Sequence, residues 1–528
     1  MKTRHTARDT RPARCGFSSR RAVMLALALA VAGCEVGPDF EMPAAPPVKG
    51  YTPEPLSPQT ASAEVAGGAA QRFVDDMDIP AQWWTLFHSP DLNALITRAL
   101  AHNPTIPAAQ AALKVALETE YAQVSAFFPS IDGNFSPSRN KTSNAIAPVP
   151  SSNTNIYSLY TAQLSLSYSP DLFGLNRRTV ESLQAQADNQ RFTLEATYLT
   201  LTSNVVAAAI QEASLRGQIA ATEQIIDIER QLLALLHKQY DLGFAAGLDV
   251  AAQDAALAAA EASLPPLQKQ LAQQRDLLAA LAGQFPSDEP PEKFELASLT
   301  LPEDLPVSLP SALVAQRPDV RAAEALLQSA SAQIGVAIAN RLPNLQLSAL
   351  WGTQAVTSAG LFASGNGIWT LGASVTQPIF DGFGLLHKER AARAAFDQAA
   401  ATYQSTVLTA FQNVADSLRA LQADADALRA AVAAERAAKT QLDITRQQLE
   451  LGAINYLSLL NAQQAYLTAV VARVQAQANR FADTAALFQA LGGGWWNRPP
   501  EARSAPEHAI EAADRSPWRA IRDTIWPW

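Results

Sequence analysis

Few residues of this 528-residue sequence are placed where they could do chemistry. It holds two cysteines, Cys15 and Cys34, and six scattered histidines. It contains no phosphate-binding glycine loop, no His-Glu-x-x-His pair and no cysteine–histidine cluster with metal-ligand spacing. The exception is Cys34, which closes an apolar stretch and follows Ala32 and Gly33. Cleavage before Cys34 would offer its thiol and new amine to acylation. We therefore predict no enzyme, metal site or cofactor.

The residues before Cys34 form the pattern of a signal peptide. An arginine-rich start is followed by the apolar stretch 22–32, which is too short to span a bilayer as a helix. Val31-Ala32-Gly33-Cys34 resembles the lipobox of bacterial lipoproteins, so we predict a signal peptide at 1–33. Plain secretion is the alternative, because Ala30-Val31-Ala32 satisfies the A-x-A rule. Cys15 is lost in both cases, and the mature chain cannot form an internal disulfide.

The overall composition argues against two classes of protein, those that bind nucleic acid and those with a transmembrane helix. The chain is acidic, with 49 Asp and Glu against 40 Lys and Arg, and no basic patch stands out. This balance argues against nucleic-acid binding, which relies on Lys and Arg to neutralise phosphates. No apolar run reaches the roughly 18 residues that a transmembrane helix needs.

Several short motifs occur twice, at an offset of about 207 to 214 residues. Such self-similarity indicates an internal repeat. The paired motifs are Asn103-Pro104 with Arg317-Pro318, 171–174 with 378–382, 242–250 with 451–459, and 280–283 with 490–493. We predict one module at 91–285 and a second at 311–493. The remaining segments are a Pro-rich strap at 34–90, a Pro-rich joint at 286–310 and a Trp-rich tail at 494–528.

Each module is predicted to read helix, strand, strand, very long helix, turn, helix. The stretch 385–450 has no proline or glycine, and at 1.5 Å per residue it would form a helix of about 100 Å. A bundle of ordinary core helices is the alternative, but ordinary helices are far shorter. Apolar residues at alternating steps of four and three indicate a coiled-coil seam. The seam comprises Val407, Phe411, Val414, Leu418, Leu421, Ala425, Leu428 and Val432 in the second module, and Leu194, Tyr198, Leu201, Val205 and Ala208 after Leu175 in the first.

Both long helices are predicted to turn back at their far ends. Gly243 and Gly452 occupy positions where a helix end favours a left-handed residue. Asp249 and Ser458 are predicted to cap the helices that return. In the first module the return path contains Pro265-Pro266, which predicts two shorter helices end to end, because proline is disfavoured inside a helix.

Four stretches alternate apolar and polar residues with a period of two. About ten residues with aromatic ends and a polar reverse face are typical of a membrane β-barrel strand. A soluble sheet with one wet face is the alternative. Four strands cannot close a barrel, and open edges are not tolerated in lipid, so two, three or four chains would have to assemble. The apolar positions are Tyr160, Ala162, Leu164, Leu166 and Tyr168, then Trp369, Leu371, Ala373 and Val375, then Leu345, Leu347, Ala349 and Trp351, and, more weakly, Ile131, Gly133 and Phe135.

The sequence resembles the TolC-like outer membrane factors, in particular the lipoprotein branch that serves multidrug efflux pumps of the RND type. The matching stretches are CEVGPDF from Cys34, QWWTLFHSPDLNALITRALAHNP from Gln82, QRPDVRAAE from Gln316 and SVTQPIFDG from Ser374. The resemblance implies a mainly α fold with a membrane β-barrel. It also implies a homotrimer with a twelve-strand barrel in the outer membrane, an α-helical periplasmic tunnel, and partners in a periplasmic adaptor protein and an inner membrane pump.

The resemblance also implies roles for individual residues. Cys34 would carry acyl chains, and Glu35 in the position after it would direct export to the outer membrane. The tips, with Gly243, Gly247, Asp249, Gly452 and Asn455, would dock the adaptor. In the family, aspartates after the second turn commonly form carboxylate rings at the closed entrance. Here those positions hold Ser458 and Asn461, so we expect a weakly cation-selective gate.

The expected function is passive conduction of small toxic compounds from the periplasm to the exterior. One alternative is the exit duct of a type I protein secretion system, whose members more often lack a lipobox. Another is a structural coiled-coil lipoprotein without a pore, which would not need the four amphipathic strands. A copper or silver exporter finds no support in four methionines and scattered histidines.

Overall fold

The computed structural model describes residues 35–48, 50–143 and 155–498. Cys34, the signal peptide and most of the Trp-rich tail lie outside these residues. The described chain forms two compact units, and both repeats contribute to each. The first unit contains 35–41, 118–185 and 328–398, and the second contains 42–117, 186–327 and 399–498, without the gaps named above.

The two halves of the chain have the same order of elements. The first half contains α1 (Pro90–His102), α2 (Thr105–Val124), β2 (Ser130–Lys141), β3 (Ile156–Tyr168), α3 (Leu175–Asp241) and α4 (Gly247–Leu281). The second contains α5 (Pro310–Gln316), α6 (Pro318–Ala339), β5 (Asn344–Ala355), β6 (Gly367–Thr376), α7 (Gly384–Glu450) and α8 (Tyr456–Ala490). Two short strands, β1 (Arg72–Asp75) and β4 (Asp304–Val307), pair in parallel, and short 3-10 helices occur at Trp83–Phe87, Ser125–Phe127, Leu296–Ser298 and Trp495–Asn497.

Each half opens with two helices where the sequence predicted one. The break falls at Asn103 and at Arg317, which have extended backbones with ψ of 124° and 122°. Both residues precede a proline, and the proline ring excludes the residue before it from the helical region. The repeated Asn-Pro and Arg-Pro motifs therefore mark a helix boundary in both halves.

The four predicted strands form one antiparallel sheet in the order β2-β3-β5-β6. Its register places the predicted apolar residues on a common face, because Ile131 lies opposite Leu166, Leu164 opposite Trp351, and Trp351 opposite Trp369. The other face carries mainly polar residues, such as Asp132 opposite Ser165. The predicted alternation of the strands is confirmed.

The two long helices, α3 and α7, have 67 residues each and run without a break. The predicted seam is largely buried: Val205, Val414, Leu421, Ala425 and Leu428 are fully covered. Phe411, Tyr198 and Val432 are only partly covered. In the second half the pattern continues beyond the predicted residues, to Ala438, Leu442 and Thr445.

The predicted helix caps at Asp249 and Ser458 are wrong. The residue that caps α8 is Asn455, whose side-chain oxygen accepts a hydrogen bond from the backbone N–H of Ser458 at 3.1 Å. Ser458 thus lies three residues after the cap, inside the first turn. The helix α4 has Ala246 at its cap position, without a side-chain hydrogen bond, and Asp249 again lies in the first turn. Each return helix begins one turn earlier than expected.

The predicted break at Pro265-Pro266 is also wrong, because α4 continues through both prolines. The two prolines lack the N–H groups that would pair with the carbonyls of Glu261 and Ala262 four residues earlier. Both of those residues are exposed, so water can satisfy the released carbonyls. A helix can therefore pass through two prolines where the affected turn faces solvent.

Among the described helices, none is both long and apolar enough to cross a membrane.

Candidate functional site

The sheet presents an apolar face that the described chain leaves uncovered. Trp351, Trp369, Leu371 and Val375 expose 68%, 72%, 74% and 68% of their surface, and Phe135 on the outer strand β2 exposes 63%. Apolar patches of this kind mark an interface with lipid or with protein. The exposed aromatic residues come from β2, β5 and β6, so the exposed apolar surface extends across the sheet.

The sheet also has two edges without a partner strand in the described part of the chain. These edges are β2 and β6. Since every neighbouring pair is antiparallel, β2 and β6 run in opposite directions. Copies of the sheet could therefore join edge to edge, with β6 of one chain beside β2 of the next, and remain antiparallel throughout.

Two helical hairpins, α3–α4 and α7–α8, end in exposed turns. Gly243 and Gly452 have φ of +80° and +72°, which is the left-handed conformation expected at these positions. A Cβ atom added at either glycine would meet nothing within 4 Å, so only the backbone conformation requires glycine there. Phe244, Leu248 and Leu451 beside the turns expose 81%, 79% and 83% of their surface. The tips are therefore apolar as well as exposed.

The residues predicted to form the gate lie on the first two turns of α8. Ser458 and Asn461 are both exposed and are three residues apart, so they share one side of the helix. The Ser458 hydroxyl donates a hydrogen bond to the Asn455 side chain at 2.9 Å, which ties it to the cap. Gly247 is the first residue of α4, and Asp249 lies two residues further along. The two predicted gate residues are thus on the same helix as the capping Asn455, while Gly247 and Asp249 belong to the other hairpin.

A buried cluster near the tips is not among the features that the sequence predicts. Leu236, Leu442, Tyr456, Leu459 and Ala462 pack together, drawing on α3, α7 and α8. Such a cluster holds the ends of the two hairpins to one another. Its members continue the apolar period of the long helices, so the seam could have been followed to the tip.

Polar side chains are buried close to this cluster. The Gln253 side chain, on α4, donates hydrogen bonds to the side chain and the backbone carbonyl of Glu229 on α3, so it links the two helices of the first hairpin. Burial raises the pKa of Glu229, while the hydrogen bond from Gln253 opposes that shift. The sequence gives no sign of this buried pair, because glutamine and glutamate are also common on the exposed faces of such helices.

The stretch 51–64 of the strap lies along α7. Tyr51 contacts the ring of Phe411 with centroids 5.6 Å apart, the Ser57 carbonyl accepts a hydrogen bond from Gln422 at 3.2 Å, and Glu64 pairs with Arg436 at 2.6 Å. From Tyr51 to Glu64 the strap would span about 40 Å as polyproline II. The matching stretch of helix, from 411 to 436, spans about 37 Å. The strap therefore follows the helix toward its hairpin tip.

A buried arginine fixes the strap to α8. Arg480 is 0% exposed and donates hydrogen bonds to the Ala69 carbonyl at 2.6 Å and to the Thr60 hydroxyl at 3.0 Å. Gln71 adds a hydrogen bond from its side chain to the Pro302 carbonyl at 2.9 Å. Because Arg480 sits in an ordinary helical stretch, nothing in the sequence distinguishes it from a solvated arginine.

The first residues of the Trp-rich tail, 494–498, belong to the second unit and pack against other parts of it. The Trp495 indole donates a hydrogen bond to the Gln316 carbonyl at 2.6 Å, and the Arg498 guanidinium lies 4.4 Å from the centre of the Tyr198 ring. Trp518, Trp526 and Trp528 lie outside the described residues. No group of His, Cys, Asp and Glu that could hold a metal ion occurs in the described ranges.

Relatives of this chain are named as efflux proteins. It is 28% identical to the toluene efflux pump outer membrane protein TtgC of Pseudomonas putida over 90% of this chain and 96% of that protein. It is 31% identical to the pyoverdine export outer membrane protein OpmQ of Pseudomonas aeruginosa over 84% of this chain and 94% of that protein. These names match the efflux interpretation and not the secretion alternative.

A solved channel shares the fold. The open state of the MtrE outer membrane channel of Neisseria gonorrhoeae superposes with a TM-score of 0.74 at 26% identity, over 88% of this chain and 99% of that chain. The family model for outer membrane efflux proteins matches residues 95–284 and 309–493, which cover both repeats. The chain belongs to the outer membrane efflux protein family, whose members are transport channels of the outer membrane.

Proposed function

We propose that three copies of this chain close a twelve-strand barrel in the outer membrane and form the exit channel of a tripartite efflux pump. Small toxic compounds would pass through it passively from the periplasm to the exterior. The observation that carries the proposal is the sheet: one exposed apolar face, one polar face and two antiparallel edges without partners. Lipid would cover the apolar face, and closure would pair the edges.

Two, three or four such sheets would all alternate correctly when joined. Three is favoured here by the resemblance to trimeric outer membrane factors. Twelve strands also leave room for water, whereas eight strands give an interior that side chains fill. The polar face, with Asp132, Ser165 and Thr370, would then line the water path.

The anchor and the docking surface complete the proposal. Cys34 would carry the acyl chains of a lipoprotein, since two or more chains are needed for stable attachment. The exposed hairpin tips around Gly243, Gly247, Asp249, Gly452 and Asn455 would meet a periplasmic adaptor protein, which in turn contacts the inner membrane pump. Their apolar residues Phe244, Leu248 and Leu451 fit a helical partner. Ser458 and Asn461 would surround the entrance.

Drug resistance in cells tests the proposal. Deleting the gene should raise sensitivity to a panel of apolar drugs and solvents, and the wild-type gene should restore resistance. Leu371→Arg, on the apolar face, should fail to restore it, whereas Thr370→Arg, on the polar face of the same strand, should succeed. If the deletion strain were as resistant as the strain complemented with the wild-type gene, with the wild-type protein present in its outer membrane, an efflux role would be contradicted.

A further inference from the structure

The five residues that follow Cys34 have a defined seat in the first unit. The backbone of Val36 is paired on both sides: its N–H donates to the Phe173 carbonyl at 3.3 Å, and its carbonyl accepts from Arg178 Nε at 3.3 Å. We name residues 35–39 the N-terminal peptide. Since both polar groups of Val36 are paired, the register of the peptide is fixed against the start of α3.

Arg178 provides most of the charge at this seat. Its side chain is only 4% exposed and reaches three carboxylates: Glu35 at 3.1 Å, Asp39 at 2.7 Å and Glu181 at 2.7 Å. Glu181 lies one turn further along the same helix, so it keeps the guanidinium paired even without the peptide. The other two carboxylates come from the peptide itself. The guanidinium thus has capacity left for two acidic groups, which a planar fork of donors suits.

Three glycines allow the peptide to come this close. Gly37 has φ of +106°, and a Cβ atom there would lie 2.5 Å from the Cα of Gly335 on α6. A Cβ atom on Gly335 would in turn lie 2.8 Å from the Val36 carbonyl oxygen. Gly174 has φ of +80°, and a Cβ atom there would lie 2.9 Å from Cγ of Glu35. Any larger residue at these positions would push the peptide out.

We propose that this socket, formed by Phe173, Gly174, Arg178 and Gly335, is a receptor site for the chain's own acidic N-terminal peptide. It would hold Glu35 and Asp39 whether or not Cys34 is acylated. Arg178 is then a positioning residue, which fixes the point where the chain leaves the protein toward its lipid anchor. The inference rests on the proposed function in one respect only, the acylation of Cys34. Glu35 would then have two roles: it would pair with Arg178 in the folded protein, and it would direct export to the outer membrane as the resemblance implies.

Hydrogen exchange of the full-length acylated protein in detergent tests the socket directly. The readout is the exchange rate of the Val36 amide. The double substitution Glu35→Gln with Asp39→Asn keeps the shape of the peptide but removes both charges, so we expect exchange about tenfold faster, as for the loss of a hydrogen bond to a charged group. Arg178→Ala and Arg178→Lys should have the same effect, because lysine cannot reach several partners in one plane. The thermal midpoint of the whole protein should stay within a few degrees for the double variant.

Two controls make the result specific. Arg191→Ala removes a comparable pair on the same helix, with Asp188 at 3.2 Å, and should leave Val36 unchanged. Cys34→Ser, produced with an ordinary secretory signal, should also leave Val36 protected. Unchanged exchange in both the charge-removed peptide and the Arg178 variants would overturn the proposal, as would loss of protection in Cys34→Ser. Radioactive palmitate on the same proteins reports separately whether Cys34 is acylated, so failure of the socket and failure of the lipid anchor can be told apart.

Discussion

Trp351 on β5 lies directly opposite Trp369 on β6, and both indoles are largely exposed on the same face of the sheet. Two paired tryptophans facing solvent would be a liability in water, because large exposed apolar patches promote association. They are accounted for if lipid or its interface covers this face. The first prediction follows from that arrangement.

A charge on the apolar face should prevent assembly. Leu164 lies midway between Tyr160 and Tyr168, the predicted aromatic ends of the strand, so Leu164→Arg places a cation near mid-membrane at a cost of about 2–4 kcal/mol. Ser165→Arg points to the other face, where it lies opposite Asp132 and can pair with it. We expect few SDS-resistant trimers for Leu164→Arg and normal amounts for Ser165→Arg. Similar yields of SDS-resistant trimers from the two variants would contradict the assignment of the apolar face to lipid.

The two return helices differ at their cap residues: Asn455 caps α8 with a side-chain hydrogen bond, and Ala246 of α4 has none. Hydrogen exchange can measure the effect of this difference. Asn455→Ala removes the side-chain acceptor for the Ser458 N–H and should destabilise the first turn of α8 by about 1 kcal/mol. Ala246→Asn should stabilise the first turn of α4 by a similar amount, because Ala246 has no capping side chain. Local hydrogen exchange of the two turns is the measurement, with Asn461→Ala, at an exposed position within α8, as the control. Hydrogen exchange should become faster in the first turn of α8 for Asn455→Ala and slower in the first turn of α4 for Ala246→Asn. Changes in the same direction would contradict these cap assignments.

The stability of the second unit should depend on pH through a half-buried carboxyl group, that of Asp424. Burial, together with hydrogen bonding to Asp483 and its negative charge, raises the pKa of Asp424 to about 7, while Arg480 opposes the shift. The native state therefore favours protonated Asp424. Its contribution to stability is present below about pH 4 and is lost as the pH rises toward about 7.

Asp424→Asn should remove this dependence. The amide carries no charge, so the variant should melt higher than the wild type at pH 8 and similarly at pH 4, when thermal midpoints are measured across that range. Asp426→Asn is the matched control, because Asp426 is 62% exposed and pairs with Arg429 on the surface. A wild-type midpoint that does not fall relative to Asp424→Asn above pH 4 would show that Asp424 is ionised throughout.

The gate should respond to a single added carboxylate. In the proposed trimer, three symmetry-related asparagines at 461 would carry no charge, so planar-bilayer recordings of the wild type should show weak cation selectivity and little change with pH. Asn461→Asp should gain block by divalent cations and a pH dependence between about 4 and 6, around the carboxylate pKa. If the wild type already shows both, another charged ring lines the entrance, and Asp249 is the first candidate.

The sequence predicted the elements whose signal is periodic. The strand alternation at 160–168 and the seam at 407–428 survive in the structure, because burial of one face forces those periods. The caps were misplaced because Asn455 and Ser458 are both good capping residues, and only backbone geometry selects between them. Pro265 was misjudged because solvent exposure, which rescues the freed carbonyls, cannot be read from one sequence.

The candidate sites divide in the same way. The turn glycines at 243 and 452 were predictable, since their conformation depends on local chain geometry. The Arg178 socket and the Arg480 contacts were not, because they join residues more than 100 positions apart. No local pattern reports such a pairing, and each arginine resembles a surface residue until its partners are known.

The central claim is that β2 of one chain pairs with β6 of the next to close the barrel. Ser136 on β2 and Ser374 on β6 lie on the same polar face at the two edges. A double variant, Ser136→Cys with Ser374→Cys, would be treated in outer membranes with a bismaleimide shorter than about 14 Å. Three strand spacings of about that total width are the least distance between β2 and β6 within one chain. The register places the two serines further apart still, because they lie at different heights along the strands. We predict covalent trimers as the largest product, and none from either single variant. A ladder beyond three chains, dimers alone, or no product between chains would contradict closure by three sheets.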